Sequence, residues 1–469
     1  MNKFRKNSSL LILISIILLL IVFINTSVAA KEISLREAIV WGLEHNMSLR
    51  EIKDSVETLQ RKLGIIEAGK SWKVDIISEN QRTIQEDDSG IDGGKISMEV
   101  KKSFSGGLII GSELYLEEQD WSTFGDIEDE LNFTFTAIQN IYPHTIIEIE
   151  QETYLASNDL LKAKENLIWQ QNSKEIDFSE SYLNILRLKE KLSLAETNYQ
   201  YVQGDLDRVL KQIEIGEADL QQELEARIAL EKAGMYLRQA KNNFQQQKQS
   251  WYLDLNLPKE MEIFLKEDQD FFKGIEKWVT SLKSELDLNN KDKLMDTVTA
   301  SHFQVKINLL DQDSAHKEAE WNLDKDKPQI NLSGGYDYQS SVWYAGIELT
   351  YNLFDGGEQK LEDREYEAKL NTLEDNYLHL VNELEFQLDN LIDQLELNNM
   401  NLKEKTLSYQ KAKLEEKLWQ EQLEQGLVSK RSFQEKLISW RETEIELKSA
   451  KDMILINTLR LAHFLGLGR

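Results

Sequence analysis

Between Gly357 and Gly426 the chain runs for 68 residues without a glycine or a proline. The stretch is rich in Glu, Leu, Lys and Gln, all good helix formers. Its apolar positions step by three and four: Leu373, Tyr377, Leu380, Leu384, Leu388, Leu391 and Leu395. That spacing predicts one helix with a coiled-coil seam. At ~1.5 Å per residue such a helix is on the order of 100 Å long, more than a compact globule can hold. The competing reading is a solvated linker helix, and the sustained apolar seam argues against it.

The chain also resembles itself. Shifting residues 216–257 by 210 places Gly216 on Gly426, Glu225 on Glu435, Ile228 on Ile438 and Leu237 on Leu447. Ala240–Lys241 then meets Ala450–Lys451, and Leu255 and Leu257 meet Leu465 and Leu467. A second alignment, shifted by 256, places "WKVDIIS" (Trp72–Ser78) on "PQINLSG" (Pro328–Gly334). Each half therefore reads as long helix, strands, long helix. The shifts differ because the first strand region, about 72–142, is longer than the second, 328–354. The expected layout is a first repeat over 31–257 with a hairpin turn near 216, a linker over 258–295, and a second repeat over 296–469 with its turn near 426. The linker contains "PKEMEIFLKEDQDFFKGIEKWVTSL" (Pro258–Leu282).

The first 30 residues belong to neither half. Lys3, Arg5 and Lys6 precede an uncharged apolar run, Leu10–Ile24, followed by "NTSVAA". This is the layout of a secretory signal peptide cut near Ala30. The run is shorter than the ~20 residues of a spanning helix; an uncleaved anchor is the alternative. Cleavage removes three positive charges from a chain whose formal charge is −27. Such an acidic surface repels nucleic acid and anionic lipid headgroups. An exported chain with no Cys has no disulfides, so its stability must come from a large assembled structure.

"GIIEAGKS" (Gly64–Ser71) matches the phosphate-binding loop pattern letter for letter. That loop works only between an entering strand and a leaving helix. Here a helix precedes it and a strand follows, so no nucleotide site is expected, and Gly69 reads as a helix terminator.

The strands alternate. Ile347, Leu349, Tyr351 and Leu353 are separated by Glu348, Thr350 and Asn352. Ile330, Leu332, Tyr336 and Tyr338 oppose Asn331, Ser333 and Asp337. Leu131, Phe133 and Phe135 oppose Asn132, Thr134 and Thr136, and Trp72, Val74 and Ile76 oppose Lys73 and Asp75. One face is apolar and the other wet. A sheet packed on helices gives this pattern, and so does a barrel with lipid outside and water within. The strand lengths suit the barrel, at ~9–11 residues per crossing. Trp72, Tyr336, Tyr338, Trp343, Tyr344 and Phe354 would form its aromatic girdles. Four good strands cannot close alone, since bacterial single-chain barrels start at about 8, so several chains must share one barrel.

Enzymatic constellations are absent from the sequence. The six histidines (45, 144, 302, 316, 379 and 463) lack metal-ligand spacing, there is no G-x-S-x-G, and there is no Cys nucleophile. Neither a cofactor nor an enzymatic activity is expected.

The opening "ISLREAIVWGLEHNMSLR" (Ile33–Arg50), the strand exit "LTYNLFDGGEQK" (Leu349–Lys360), the turn "EQGLVSKRSFQEKL" (Glu424–Leu437) and the closing "LRLAHFLGLG" (Leu459–Gly468) resemble the TolC-type outer-membrane efflux channels. The resemblance covers nearly the whole mature chain. It implies an α+β membrane protein, with a long coiled-coil α-helical barrel joined to a transmembrane antiparallel β-barrel. A homotrimer shares that barrel, about four strands per protomer and 12 in all, and each protomer is built from two internal structural repeats. It implies the exit duct of a tripartite efflux or type I secretion system, in the outer membrane and reaching into the periplasm. Its partners would be a periplasmic adaptor, an inner-membrane pump and outer-membrane lipid, without nucleic acid or nucleotide. The competing class is a soluble periplasmic coiled-coil scaffold or adaptor without a membrane span.

The resemblance also assigns residues. Independently of it, the spacing of Ser34 and Glu37 in "SLRE" predicts a capping box that starts the first helix. Gly216, Glu217 and Ala218, with Gly426, Leu427, Val428 and Ser429, become tip turns that meet the adaptor; the alternative is a plain helical hairpin. Acidic rings at the pore entrance fall on Ser432 and Glu435. Ser432 is not acidic, which leaves Glu435 for one ring, with Glu225 as its counterpart in the first repeat; the alternative is a solvated helix face. The lipid-facing set is Val74, Ile76, Phe133, Phe135, Ile330, Leu332, Ile347, Leu349 and Tyr351. Residues 96–121 either lengthen an extracellular hairpin or add strands.

Overall fold

The computed structural model describes residues 31–84, 90–118, 131–143, 147–258, 261–265, 269–285 and 290–467. The signal-peptide reading of residues 1–30 lies outside them.

A short strand β1 (Lys31–Ile33) leads into helix α1 (Leu35–His45) and then α2 (Met47–Ala68). Ser34 caps α1: its Oγ accepts from the Glu37 amide at 3.3 Å, and the Glu37 carboxylate accepts from the Ser34 amide at 2.8 Å. That reciprocal pair satisfies backbone donors the first helical turn leaves open. Four strands follow: β2 (Lys73–Ile84), β3 (Gly90–Ser103), β4 (Leu108–Glu118) and β5 (Leu131–Tyr142). Helices α3 (Glu148–Glu214) and α4 (Leu220–Asp254) complete the first half. Strand β6 (Met261–Ile263) and helix α5 (Gln269–Glu285) link it to the second. The second half runs α6 (Lys291–Ser301), α7 (Phe303–Lys325), β7 (Gln329–Asp337), β8 (Val342–Thr350), α8 (Glu358–Glu424) and α9 (Lys430–Phe464).

The helices of the two halves match in length. α1 and α6 have 11 residues each, α3 and α8 have 67 each, and α4 and α9 have 35 each. α8 fills the segment without glycine or proline. On its seam, Leu384 and Leu388 are 0% exposed and Leu395 2%. "GIIEAGKS" runs from the end of α2 into the approach to β2, the reverse of a phosphate loop.

The chain divides into two compact units. Of the described residues, one comprises those from Lys31 to Glu51, within Trp169–Val298 and from Phe386 to Leu467. Its core gathers Ile33, Leu35, Phe178, Tyr182, Trp251, Leu255, Ile275 and Leu459. β1 pairs in parallel with β6 beside that core, Ile33 opposite Ile263. Within this unit the buried Arg187 of α3 reaches Asp452 of α9 and Glu190, each at 2.7 Å. A buried guanidinium must be paired in this way, because leaving it without a counter-charge costs several kcal/mol.

The second unit comprises Ile52–Ile168 and Thr299–Glu385 and holds the large sheet. Ion pairs join its helices: Lys162 to Asp311 at 2.7 Å and Lys306 to Glu165 at 3.2 Å. Its six strands lie in the order β2-β3-β4-β5-β7-β8, antiparallel throughout. This corrects the expectation of about four strands. Of residues 96–121, those up to 118 lie in or between β3 and β4, so the segment adds strands; residues 119–121 lie outside the description. The cause is local. Ile96, Met98 and Val100 alternate with Ser97, Glu99 and Lys101, and the β3–β4 turn carries Gly106 and Gly107 at positive φ, as a tight reversal needs.

Candidate functional site

The sheet's register assigns every strand residue to a face, since directly opposed residues point the same way. Along one face run Val74↔Val100↔Ser112↔Phe135↔Tyr336↔Trp343. Beside that row lie Ile76↔Met98↔Leu114↔Phe133 and, across the last pair, Leu332↔Ile347 and Ile330↔Leu349. Val74, Ile76, Phe133, Phe135, Ile330, Leu332, Ile347 and Leu349 therefore share one face. Tyr351, one residue past β8, continues the parity of Ile347 and Leu349. The face is open: Ile76 is 77% exposed, Ile347 74% and Leu349 64%. An apolar surface spanning six strands far exceeds the patches that soluble monomers leave to water.

Aromatic residues mark both ends of this face. Trp72 precedes β2, with the Lys102 Nζ 5.5 Å from its ring centroid. At the hairpin end Tyr336 and Trp343 meet with centroids 4.8 Å apart. β7 has nine residues, roughly 30 Å along the strand. Tyr344 departs from the expected girdle. It pairs with Gly335, which puts it on the polar face. There its ring covers Gly335, where a Cβ would meet the Tyr344 hydroxyl at 2.4 Å and the Phe135 carbonyl oxygen at 2.3 Å. Only glycine fits beneath that ring.

The opposite face is more polar, and its acidic residues outnumber its lysines, Lys73, Lys95 and Lys101. Asp75↔Glu99↔Glu113↔Thr134↔Asp337 forms one cross-strand row. Lys95 offsets part of its charge, 2.7 Å from Glu113 and 4.2 Å above the Tyr115 ring. Sequence reasoning did not assemble this row because it left residues 96–121 open between a longer hairpin and added strands, although the alternation of residues 96–101 carries the signal.

The two helical turns share one geometry. Gly216 has φ +78° and Gly426 φ +72°. The Glu217 amide donates to the Gln212 carbonyl and the Leu427 amide to the Gln422 carbonyl, both at 2.8 Å. This is a Schellman closure, which needs a left-handed residue that glycine adopts without strain. Asp219 then caps α4, accepting from the Gln222 amide at 2.9 Å, and Ser429 caps α9, accepting from the Ser432 amide at 3.0 Å. Between glycine and cap lie Glu217 and Ala218 in one turn, Leu427 and Val428 in the other. Leu427 is 69% exposed.

The candidate gate residues sit just beyond these turns. Glu435 is two-thirds exposed and lies 3.5 Å from Arg431. Glu225 is exposed and accepts from the Gln221 amide group at 3.1 Å. Ser432 is spent on the cap, its Oγ 3.0 Å from that of Ser429. The sequence reading missed Asp205. It is 6% exposed, 2.8 Å from Arg208 and 3.6 Å from Arg431. Arg431 thus stands between a buried and an open carboxylate, Asp205 and Glu435.

Among the described residues no group of three or more His, Asp or Glu is placed to hold a metal ion. No described helix is long and apolar enough to cross a membrane, which says nothing about the sheet.

No family model and no curated protein sequence matches the chain. Solved structures do. The Campylobacter jejuni CmeC outer membrane channel matches with TM-score 0.62 over 92% of this chain and 85% of that one, at 11% identity. The Vibrio cholerae outer membrane protein VceC matches at 0.58 over 92% and 96%, at 12% identity. The open state of the Neisseria gonorrhoeae MtrE outer membrane channel matches at 0.59 over 94% and 93%, at 14% identity. The fold is that of these outer-membrane channel structures, with long helices and an antiparallel sheet. More narrowly, it is the fold of the TolC-type efflux channels, over about nine-tenths of the chain.

Proposed function

We propose that this chain is the exit duct of a tripartite efflux or type I secretion system. The observation that carries the reading is the open apolar face running across all six strands, backed by an acidic face. Lipid covers the first and water the second, as in other membrane barrels. The likeness to outer-membrane channels supports the same location. In this reading the protein is a homotrimer of two-repeat protomers. Its sheets form an outer-membrane barrel and its helices a periplasmic tunnel. Lengths of 67 and 35 residues recurring in both halves support the repeat. Residues 1–30 act as the export signal.

The turns at Gly216–Ala218 and Gly426–Ser429 meet the periplasmic adaptor, which passes substrate from an inner-membrane pump. Glu435 rings the entrance, with Glu225 near it. The duct performs no chemistry and holds no cofactor. Its acidic lining favours cations.

The test is single-channel conductance of the detergent-purified protein in planar bilayers, with native mass giving the copy number. A trimer with cation-selective steps, whose selectivity drops in Glu435→Gln, is the expected outcome. A protein that is soluble without detergent and gives no conductance would overturn the reading in favour of a periplasmic scaffold.

A further inference from the structure

The sheet is open. Among the described residues β2 and β8 are its edges, and each has a strand on one side only. Unpaired edge donors and acceptors invite another strand, and inside a lipid bilayer they must find one. Both edges are accessible. Every β8 residue is exposed, and on β2 Val74 and Ile76 are 59% and 77% exposed.

Three features make the edges fit each other. Each chain contributes an even number of strands, so β2 and β8 run in opposite directions. A β8 edge and the β2 edge of a copy related by rotation therefore meet antiparallel. Second, the apolar faces join without a break when even-numbered residues of β2 oppose odd-numbered residues of β8, Val74 and Ile76 alongside Ile347 and Leu349. Third, the sheet already has a barrel's stagger. The hydrogen-bonding row from Lys73, at the helix end of β2, passes Lys101, Gly111, Thr136 and Gly335 to Tyr344. Tyr344 stands six residues from Thr350, the helix end of β8. Six residues over five strand steps correspond to a tilt of about 40°, within the range of closed membrane barrels.

We propose that β8 of one copy pairs with β2 of the next, so that three copies close an 18-stranded barrel rather than the 12-stranded one expected from four strands per chain. The inference rests on the trimeric-duct reading and deepens it. Barrel diameter grows roughly in proportion to strand number, so the pore through the membrane is about 1.5-fold wider than a 12-stranded one. The acidic row of the polar face recurs three times around it.

The chain has no native Cys, so engineered pairs report cleanly. Val74 and Leu349 lie on opposite edges of the sheet, five strand spacings across and six residues along, about 31 Å apart, and can link only between copies. The experiment expresses full-length V74C/L349C and I76C/L349C, which cover two adjacent registers, oxidises outer-membrane fractions and resolves them without reductant. The comparator is I110C/L349C, which links only if β4 is the outer strand of a four-stranded contribution. The expected result is a reducible covalent oligomer from a β2–β8 pair, at least tenfold more abundant than from the comparator. Crosslinking by the comparator instead would overturn the 18-stranded closure and leave the duct intact. Membrane-inserted protein that crosslinks in none of the three would overturn both.

Discussion

The two halves of the chain agree in their helices and disagree in their strands. α3 and α8 are both 67 residues long, and α4 and α9 are both 35. Between helices the first half has four strands of the large sheet and the second half two. A helix has a fixed rise per residue. Helices packed side by side, with turns and caps at matching positions, cannot change length singly without losing their seams. A sheet grows by hairpins. Each hairpin adds two strands, returns the chain to the side it left and keeps the two edges antiparallel. Length is therefore constrained in the helices and free in the sheet.

The largest expected effect comes from setting those two freedoms against each other. Deleting residues 90–118 removes β3 and β4 and leaves a four-stranded contribution of the same parity. The variant should still assemble in the outer membrane and conduct, at roughly half the wild-type conductance if the lumen area scales with the square of strand number. Leu388→Asp changes one residue but puts an unpaired charge on a fully buried seam position, at a cost of several kcal/mol. No assembled protein should be recovered from it. Equal recovery of the two variants would break the comparison.

A smaller effect separates the two halves within the helices. His463 of α9 is largely buried against Trp169, with centroids 3.8 Å apart, and Glu175 lines the same recess. Burial pushes its pKa from 6.5 down to about 4. The residue 210 positions earlier is Leu253, which is 74% exposed and cannot titrate. Because the folded value lies below the unfolded one, the unfolded chain binds the extra proton between pH 6.5 and 4. Stability is thus whole above pH 6.5 and is lost as pH falls through that window. Thermal melts should show a loss of about 1–2 kcal/mol at pH 5 relative to pH 7.5, discounted for the exposed part of the ring. His463→Phe should flatten that slope. An unchanged slope would place the sensitivity elsewhere.

These contrasts also mark what was legible beforehand. The long helices were, because the absence of Gly and Pro over 68 residues and a three-four apolar step leave a chain no other regular structure. The turn glycines were, since a shift of 210 superimposes them. The apolar face was readable wherever alternation was clean, as at Ile347, Leu349 and Tyr351. β3 and β4 stayed open between a longer hairpin and added strands because Lys102 and Ser112 interrupt the apolar file, although their partners β2 and β5 are their neighbours along the chain. Tyr344 shows the limit on a single residue. Its parity sets it opposite Ile347 and Leu349 only once β8 is known to run unbroken back to Val342, which the sequence pattern from Gly346 onward does not show. Asp205 was invisible for a similar reason: Arg431, 226 positions later, makes it a partner.

The finest comparison is between the two caps. Asp219 and Ser429 occupy matching positions and each satisfies one amide of the next turn. Asp219 has a second arm: its own amide donates to the Gln222 side chain at 3.4 Å, completing a capping box. Its charge also lies at a helix N-terminus, where the dipole favours an anion. Ser429 has neither; its hydroxyl meets only the Ser432 amide and hydroxyl. Replacing either by Ala should cost about 1 kcal/mol, with Asp219→Ala the costlier by a few tenths. Hydrogen exchange at residues 220–223 and 430–433 should show protection falling about fivefold in each variant, and further in the first. Salt should narrow the gap, because screening acts on the carboxylate and leaves the hydroxyl's contribution in place. If the gap persists in high salt, the difference between the turns comes from the Gln222 arm rather than from charge.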